Sequence, residues 1–189
     1  VWESINDVIV GAKEIMGFLK KVSRLVASEN LPVCWTTPKP LNFPVQMMCY
    51  KKESKRVKTK MGDSIIKLSI QSDTDEIDKR KTAQSICPNF IHSLDASVLQ
   101  LAVIKAKEKG VTNFSLIHDS FGCVAPDVAK LSEAIREAFC EVYEQDVLTN
   151  WAMEMKQMLS DKNAKKFPHI PERGNLDLSL VKQSTFFCV

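Results

Sequence analysis

The sequence predicts an α+β fold, mostly helical, with one protruding β-hairpin. Three observations predict it. Apolar residues recur at three- and four-residue spacing over several long stretches, the period of helices with one buried face. Residues 52–71 alternate instead, on both sides of Met61-Gly62-Asp63, the period of paired strands about a turn. The first strand of that hairpin is also too basic to be buried, because residues 51–60 hold six Lys or Arg and one Glu.

The elements follow in order. Trp2, Ile5, Val8, Ala12, Ile15, Leu19, Val22 and Val26 mark one face of a first helix over 1–27. No capping residue precedes Trp2 and Val1 is not a methionine, so this start is expected to be a truncation or fragment boundary. Asn30 to Pro32 ends the pattern. Short strands are expected around Val33 to Thr36 and Pro44 to Tyr50, joined by a Pro-rich link, and the 52–71 hairpin follows. Asp75 to Ser85 is polar and reads as a short helix or a loop. Pro88 is expected to open a long helix to about Lys109, with Gly110 as its stop. Strands are expected over Asn113 to Ile117 and Ser120 to Val124. A helix should start at Pro126-Asp127 with Val128, Leu131, Ile135, Phe139 and Val142 on one face. Leu148 to Leu159 carries another helical pattern, and a short helix is expected from about Leu176.

Composition narrows the class. The chain has 189 residues, enough for one domain with a core or one lobe of something larger. No apolar run reaches the roughly 20 residues of a membrane span, and no secretory signal is visible. Six cysteines, at 34, 49, 87, 123, 140 and 188, show no metal-ligand spacing. They read as reduced thiols of a cytosolic protein, although counting alone leaves a disulfide between two of them open. Net charge is only +3, so the local run at Lys51, Lys52, Lys55, Arg56, Lys58 and Lys60 says more. It is either a solvated loop or a patch for an anionic partner.

Two segments could carry chemistry. In Ile117-His118-Asp119-Ser120-Phe121, two apolar strands flank a polar pair at a turn whose centre normally takes Asn or Gly. An exposed carboxylate there is either an ordinary turn residue or a ligand for a hard divalent ion. In Pro88-Asn89-Phe90-Ile91-His92-Ser93-Leu94-Asp95, helical spacing puts Asn89, His92, Ser93 and Ala96 on one face, with Phe90, Leu94 and Leu101 on another. The polar stripe suits hydrogen bonding to nucleic acid or a nucleotide, or is a solvated helix surface.

PNFIHSLDAS followed by SLIHDSFG resembles the single-subunit RNA polymerases of phages and mitochondria. WESINDVIVGAKEIMGFLK, Thr36-Thr37-Pro38 with the later Phe43-Pro44-Val45, DEID, GNLDL and the final aromatic pair fall in the same family order, so the resemblance covers the chain from end to end. It implies the C-terminal part of a palm and fingers polymerase domain over 1–189. Within it, 51–71 corresponds to a promoter-reading hairpin, 88–124 to a helix with the catalytic-motif hairpin, and 175–189 to a C-terminal foot. Asp119 matches the family's metal-binding Asp, His118 its neighbour in the motif, and His92 a residue near the template and primer end. The resemblance further implies two Mg2+ ions, whose second protein ligand lies upstream of Val1, as do the nucleotide-binding Lys and Tyr.

The implied activity is template-dependent ribonucleotidyl transfer by the full-length parent, with the isolated piece inactive. The implied partners are template and promoter DNA, the RNA transcript, ribonucleoside triphosphates and the rest of the polymerase chain. No membrane is involved. The implied location is the cytoplasm of a phage-infected or prophage-carrying bacterium, or an organelle matrix. Two departures limit the match: Val98 stands where the family usually has His, and KRVKTKMGDSIIKL forms a somewhat short hairpin of its own sequence. A related DNA polymerase, or a non-catalytic nucleic-acid-binding remnant, remains an alternative reading.

Overall fold

The computed structural model describes residues 9–117, 119–184 and 187. Along the chain come α1 (Val10–Ser28), β1 (Val33–Thr36), β2 (Pro44–Met47), β3 (Tyr50–Met61), β4 (Ser64–Ile77), α2 (Lys79–Glu108), β5 (Ser115–Ile117) and β6 (Ser120–Gly122). A 3-10 turn (Ala125–Asp127), α3 (Val128–Glu144), α4 (Val147–Met158), α5 (Asp161–Ala164) and α6 (Ser179–Gln183) complete it. About half of the chain is helical rather than most of it, and β1–β2, β3–β4 and β5–β6 form three separate antiparallel pairs. The α+β expectation therefore stands, with a larger share of strand than the helical periods suggested.

Helix α2 is the spine. Its 30 residues span about 45 Å at 1.5 Å each. The first half buries Ile86, Cys87, Phe90 and Leu94 in a core shared with α1, β1, β2 and α4. There Phe90 meets Trp35 and Trp151 with ring centroids 6.3 and 5.7 Å apart, and Phe18 meets Trp151 at 6.1 Å. The second half buries Leu101, Ala102 and Ala106 against Leu131, Ala134, Ile135, Ala138 and Val142 of α3, a second core. Small residues at 102, 106, 134 and 138 let the two helix backbones approach closely, and Lys109 adds ion pairs to Glu133 and Glu137 across them.

Four sequence expectations change. Helix α2 begins at Lys79, so Pro88 lies inside it and the polar stretch 75–85 is divided between β4 and the helix. The start is set by Asp78, whose carboxylate accepts from the backbone N–H groups of Arg80 and Lys81 at 3.0 and 2.9 Å. Burial of Thr82, Ala83, Ile86 and Cys87 then outweighs the roughly 3 kcal/mol that an interior proline costs. Pro88 faces solvent, and the next side chain, Asn89, donates from Nδ2 to Ser85 O at 2.9 Å across the disturbed turn.

The projecting hairpin is longer than 52–71, running from Tyr50 to Ile77 with a two-residue turn at Gly62-Asp63. Gly62 has φ 61°, the positive value that a turn of this kind asks of its first central residue and that glycine meets without steric cost. Cross-strand pairing continues past the hydrophobic alternation because backbone hydrogen bonds do not need it. Pro126-Asp127 form the 3-10 turn ahead of α3, which leaves Val128 exposed. The last short helix starts at Ser179, not Leu176. In α1 the buried face is Phe18, Leu19, Val22, Ser23, Val26 and Ala27, with Ala12 exposed, while Trp2, Ile5 and Val8 lie outside the described residues. Cys34, Cys49, Cys87, Cys123 and Cys140 are free thiols, and Cys188 lies outside the described residues.

The end of α1 is tied to the far side of the molecule by one carboxylate. Glu29 accepts from Ser160 Oγ at 2.6 Å, from the Ser160 backbone N–H at 3.1 Å and from Asn163 Nδ2 at 2.6 Å. The Ser160 hydroxyl and backbone bonds hold its carboxyl below the ordinary glutamate value of 4.5. A depressed carboxyl pKa gives stability that is present above the ordinary value and is lost as pH falls through the folded one. Glu29→Gln should therefore melt below the wild type at neutral pH, with the two curves converging in acid, as followed by circular dichroism. Equal midpoints at neutral pH would show the clamp to be energetically silent. In the first core, Phe90→Ala should cost about 3–5 kcal/mol in urea unfolding, the usual range for an aromatic-to-alanine cavity.

Candidate active site and nucleic-acid interface

The crossing of α2 and α3 leaves a cleft of about 700 Å3, roofed on one side by the β5–β6 hairpin. Helix α2 contributes His92, Asp95, Ala96, Val98, Leu99 and Gln100; the hairpin contributes Asp119 and Phe121; α3 contributes Phe139 and Tyr143. The hairpin is held by its apolar residues, since Phe114 and Phe121 pack on the second core. Ser115 pairs with Gly122, where a Cβ would lie 3.3 Å from Ser115 Cβ, so glycine lets the strands close. Ile117 pairs with Ser120, and Asp119 lies exposed in the turn just before Ser120. His118 lies outside the described residues.

Two sequence-identified residues, His92 and Asp119, thus meet in one cleft although they lie on different elements. Asn89 and Ser93 do not line it. Asn89 Nδ2 is engaged with Ser85 O and with Met47 Sδ at 3.2 Å. Ser93 Oγ donates to Phe90 O at 2.7 Å and accepts from Trp35 Nε1 at 3.1 Å, which fastens β1 to α2. The cleft also holds residues that motif reading passed over. Asp95 is exposed on the α2 rim and shares the cleft with Asp119. Tyr143 packs against Phe139 with ring centroids 4.5 Å apart and planes tilted by 43°. Burial, and then the charge of Asp95, push the Tyr143 phenol above its ordinary value, so it stays a neutral hydroxyl. The helical spacing of Phe139 and Tyr143 could have flagged a shared face, but only the α2–α3 crossing shows that it is a wall of the cleft.

The donor set sets limits on metal binding. Among the described residues no group of three or more His, Cys, Asp or Glu is placed to hold an ion. A single exposed carboxylate at a turn tip is nonetheless the kind of group that Mg2+ takes when water and phosphate oxygens complete an octahedral shell.

The candidate interface is built on strand register. Val57 pairs with Leu68, Lys58 with Lys67 and Lys60 with Ile65. Side chains alternate along a strand, so Lys52, Arg56, Lys58, Lys60 and Lys67 share one face of the ribbon, and Lys55 falls on the other. Lys58 and Lys67 face each other directly, an arrangement that is destabilising between like charges unless an anion lies against it. Lys67 was not among the cations singled out in the sequence, although pairing about Gly62-Asp63 places it there. Lys51 departs from the set: beyond a register shift, its Nζ is 2.5 Å from Glu76 Oε2. Among the described residues it alone of the six sequence-identified cations has a carboxylate partner within 4.0 Å.

Comparison with known proteins gives the family. Residues 1–166 match the family described as DNA-dependent RNA polymerase. The chain is 38% identical over 184 residues to DNA-directed RNA polymerase 2, chloroplastic/mitochondrial, of Arabidopsis thaliana, covering 97% of this chain and 17% of that protein. It is 34% identical over 206 residues to the T7 RNA polymerase of Escherichia phage T7, covering 98% and 23%. Over 202 residues it is 35% identical to the DNA-directed RNA polymerase of Enterobacteria phage T3, again covering 98% and 23%. The chain thus spans about a fifth of the length of these relatives. Taken with the shared cleft of His92 and Asp119, the match over residues 1–166 shows that the chain belongs to the DNA-dependent RNA polymerase family.

Proposed function

We propose that this chain is the C-terminal catalytic portion, palm and fingers, of a single-subunit DNA-directed RNA polymerase. The observation that carries the reading is the convergence of His92 and Asp119 in one open cleft. In the proposed reaction the 3′-hydroxyl of the RNA attacks the α-phosphate of a ribonucleoside triphosphate, a new phosphodiester forms, and pyrophosphate leaves. Bound Mg2+ would lower the pKa of the attacking hydroxyl and neutralise charge on the phosphate oxygens. Asp119 would supply one carboxylate to it, and a second Asp would come from polypeptide outside these residues. His118 would shape the turn that presents Asp119. His92, on the α2 wall, would position the reacting end of the nucleic acid, with Asn89 and Ser93 holding α2 against β1 and β2 behind it.

The terminal segment supports the foot reading. Arg136 of α3 donates to Val181 O at 3.2 Å and to Ser184 O, and its guanidinium lies 5.8 Å from the Phe187 ring centroid. Phe187 in turn sits 5.1 Å from Phe139, which lines the cleft. Segment 175–189 would therefore brace the α3 wall from behind. Phe186, Cys188 and Val189 lie outside the described residues.

The ribbon would lie on promoter DNA with its basic face. Phosphate contacts from Lys52, Lys58, Lys60 and Lys67 would be independent of sequence and weakened by salt. Arg56, Lys58 or Lys60 would reach base edges.

Four outcomes are expected. In the full-length polymerase, Asp119→Asn should lower ribonucleotide incorporation at least about a thousandfold while leaving the fold intact. Unchanged synthesis would remove the metal role, and an inactive wild type would remove the polymerase reading. Lys58→Ala or Lys67→Ala should each reduce the slope of log affinity against log salt by about one. Alanine at Arg56, Lys58 or Lys60 should alter relative promoter use, and an equal loss on all promoters would rule out base reading. The 189-residue piece alone should incorporate no ribonucleotide in a primed extension assay, because it carries one of the two carboxylates.

A further inference from the structure

The register that gathers cations on one face of the β3–β4 ribbon gathers apolar side chains on the other. Val57, Met61, Ile66, Leu68 and Ile70 all fall there. Met61, Ile70 and Leu68 are 72%, 53% and 47% exposed. Among the described residues, hydrogen bonds fasten the ribbon to the body at its base. Asn30 Nδ2 donates to Asp75 O at 3.1 Å, Asn30 Oδ1 accepts from Ile77 N at 2.8 Å, and Asp78 N donates to Cys49 O at 2.7 Å. A two-stranded ribbon standing in water on both sides is marginal, and a contiguous exposed apolar face of this size is a mark of an interaction site.

We infer that this apolar face is a docking surface for polypeptide of the same polymerase that lies outside these 189 residues. The inference rests on the polymerase reading. Charge decides which partner takes which face. Nucleic acid is drawn to the face with Arg56, Lys58, Lys60 and Lys67, whereas the opposite face offers phosphates only Lys55, beside Glu53. A mainly β-branched and aliphatic surface, with one cation and one carboxylate at its base, fits another protein surface. Relatives of which this chain covers only 17–23% have ample further polypeptide to supply one. The ribbon would then be clamped between protein on one side and DNA on the other. Docking would fix the angle at which the basic face meets the duplex, so promoter engagement would depend on residues that never touch DNA.

Adjacent residues on opposite faces provide the test. Lys67→p-benzoylphenylalanine and Leu68→p-benzoylphenylalanine are made separately in the full-length polymerase and irradiated on a promoter duplex. The Leu68 probe should give an intramolecular protein adduct, independent of protein concentration and mapping outside the 189 residues, while the Lys67 probe labels DNA. A Leu68 probe that labels DNA, that labels a second copy in proportion to concentration, or that labels nothing overturns the inference. A second measurement uses Leu68→Asp with Ile70→Asp. Promoter-dependent initiation should fall about tenfold or more, and extension of a preformed RNA–DNA hybrid should change less than about twofold. Equal loss in both assays, or no loss in either, overturns it too. Hybrid extension by the wild type reports separately on the polymerase reading, so the two failures are distinguishable.

Discussion

Helix α2 has to bury two different faces at its two ends, and most of the molecule is arranged to let it. Near its start the apolar side chains at 86, 90 and 94 meet aromatic partners from β1 and α4. Beyond residue 101 the contact surface becomes small and aliphatic and meets α3. Close packing is unforgiving at both ends, so the helix is fixed along its whole length. Its middle, between the two cores, is left uncovered on one side. That gap is the cleft, where the polar residues at 92 and 95 face Phe121, Phe139 and Tyr143 across open space. Proline at 88 fits the same logic: it faces solvent where the spine is held by packing on its other side.

The chain separates its charges by location. Carboxylates at 95 and 119 line the cleft, while among the described residues Lys51 is the one ribbon cation with a carboxylate within 4.0 Å. Surface ion pairs such as Lys105 with Glu141 tie α2 to α3 and contribute little energy each, as exposed pairs do. The unpaired cations are different in kind. Lys58 against Lys67 weakens the free ribbon, a cost that an anionic partner would offset. The hydrophobic face of the same ribbon is likewise unsatisfied in isolation. On the proposed reading, both faces would trade stability of the free element for readiness to bind.

Strands and helices make different contributions to the cleft. Its walls are helical, and Asp119 sits in the turn of a hairpin whose strands are only three residues long. Such a short hairpin owes its position to Phe114 and Phe121 packed beneath it rather than to its few ladder bonds. On the far side, Arg136 and Phe187 pin the terminal segment to α3 behind Phe139. The cleft is thus supported from three directions by elements remote in sequence.

By itself the sequence determined the local pieces. Alternation about Gly62 specified the ribbon, three- and four-residue spacing specified α1, α3 and α4, and the IHDSFG and PNFIHS segments marked Asp119 and His92. These signals are local because they depend on side-chain period and on turn chemistry within a few residues. Tertiary structure decided the rest. It placed the start of α2 at Lys79, since the burial of Ile86 and Cys87 against α1 is not visible from a window that meets a proline first. It brought Asp95, Phe139 and Tyr143 beside Asp119, and it turned Asn89 and Ser93 toward β1 and β2. Helical spacing states which residues share a face, but which face a neighbouring helix covers, and which is left open as a cleft, depends on where the two helices cross.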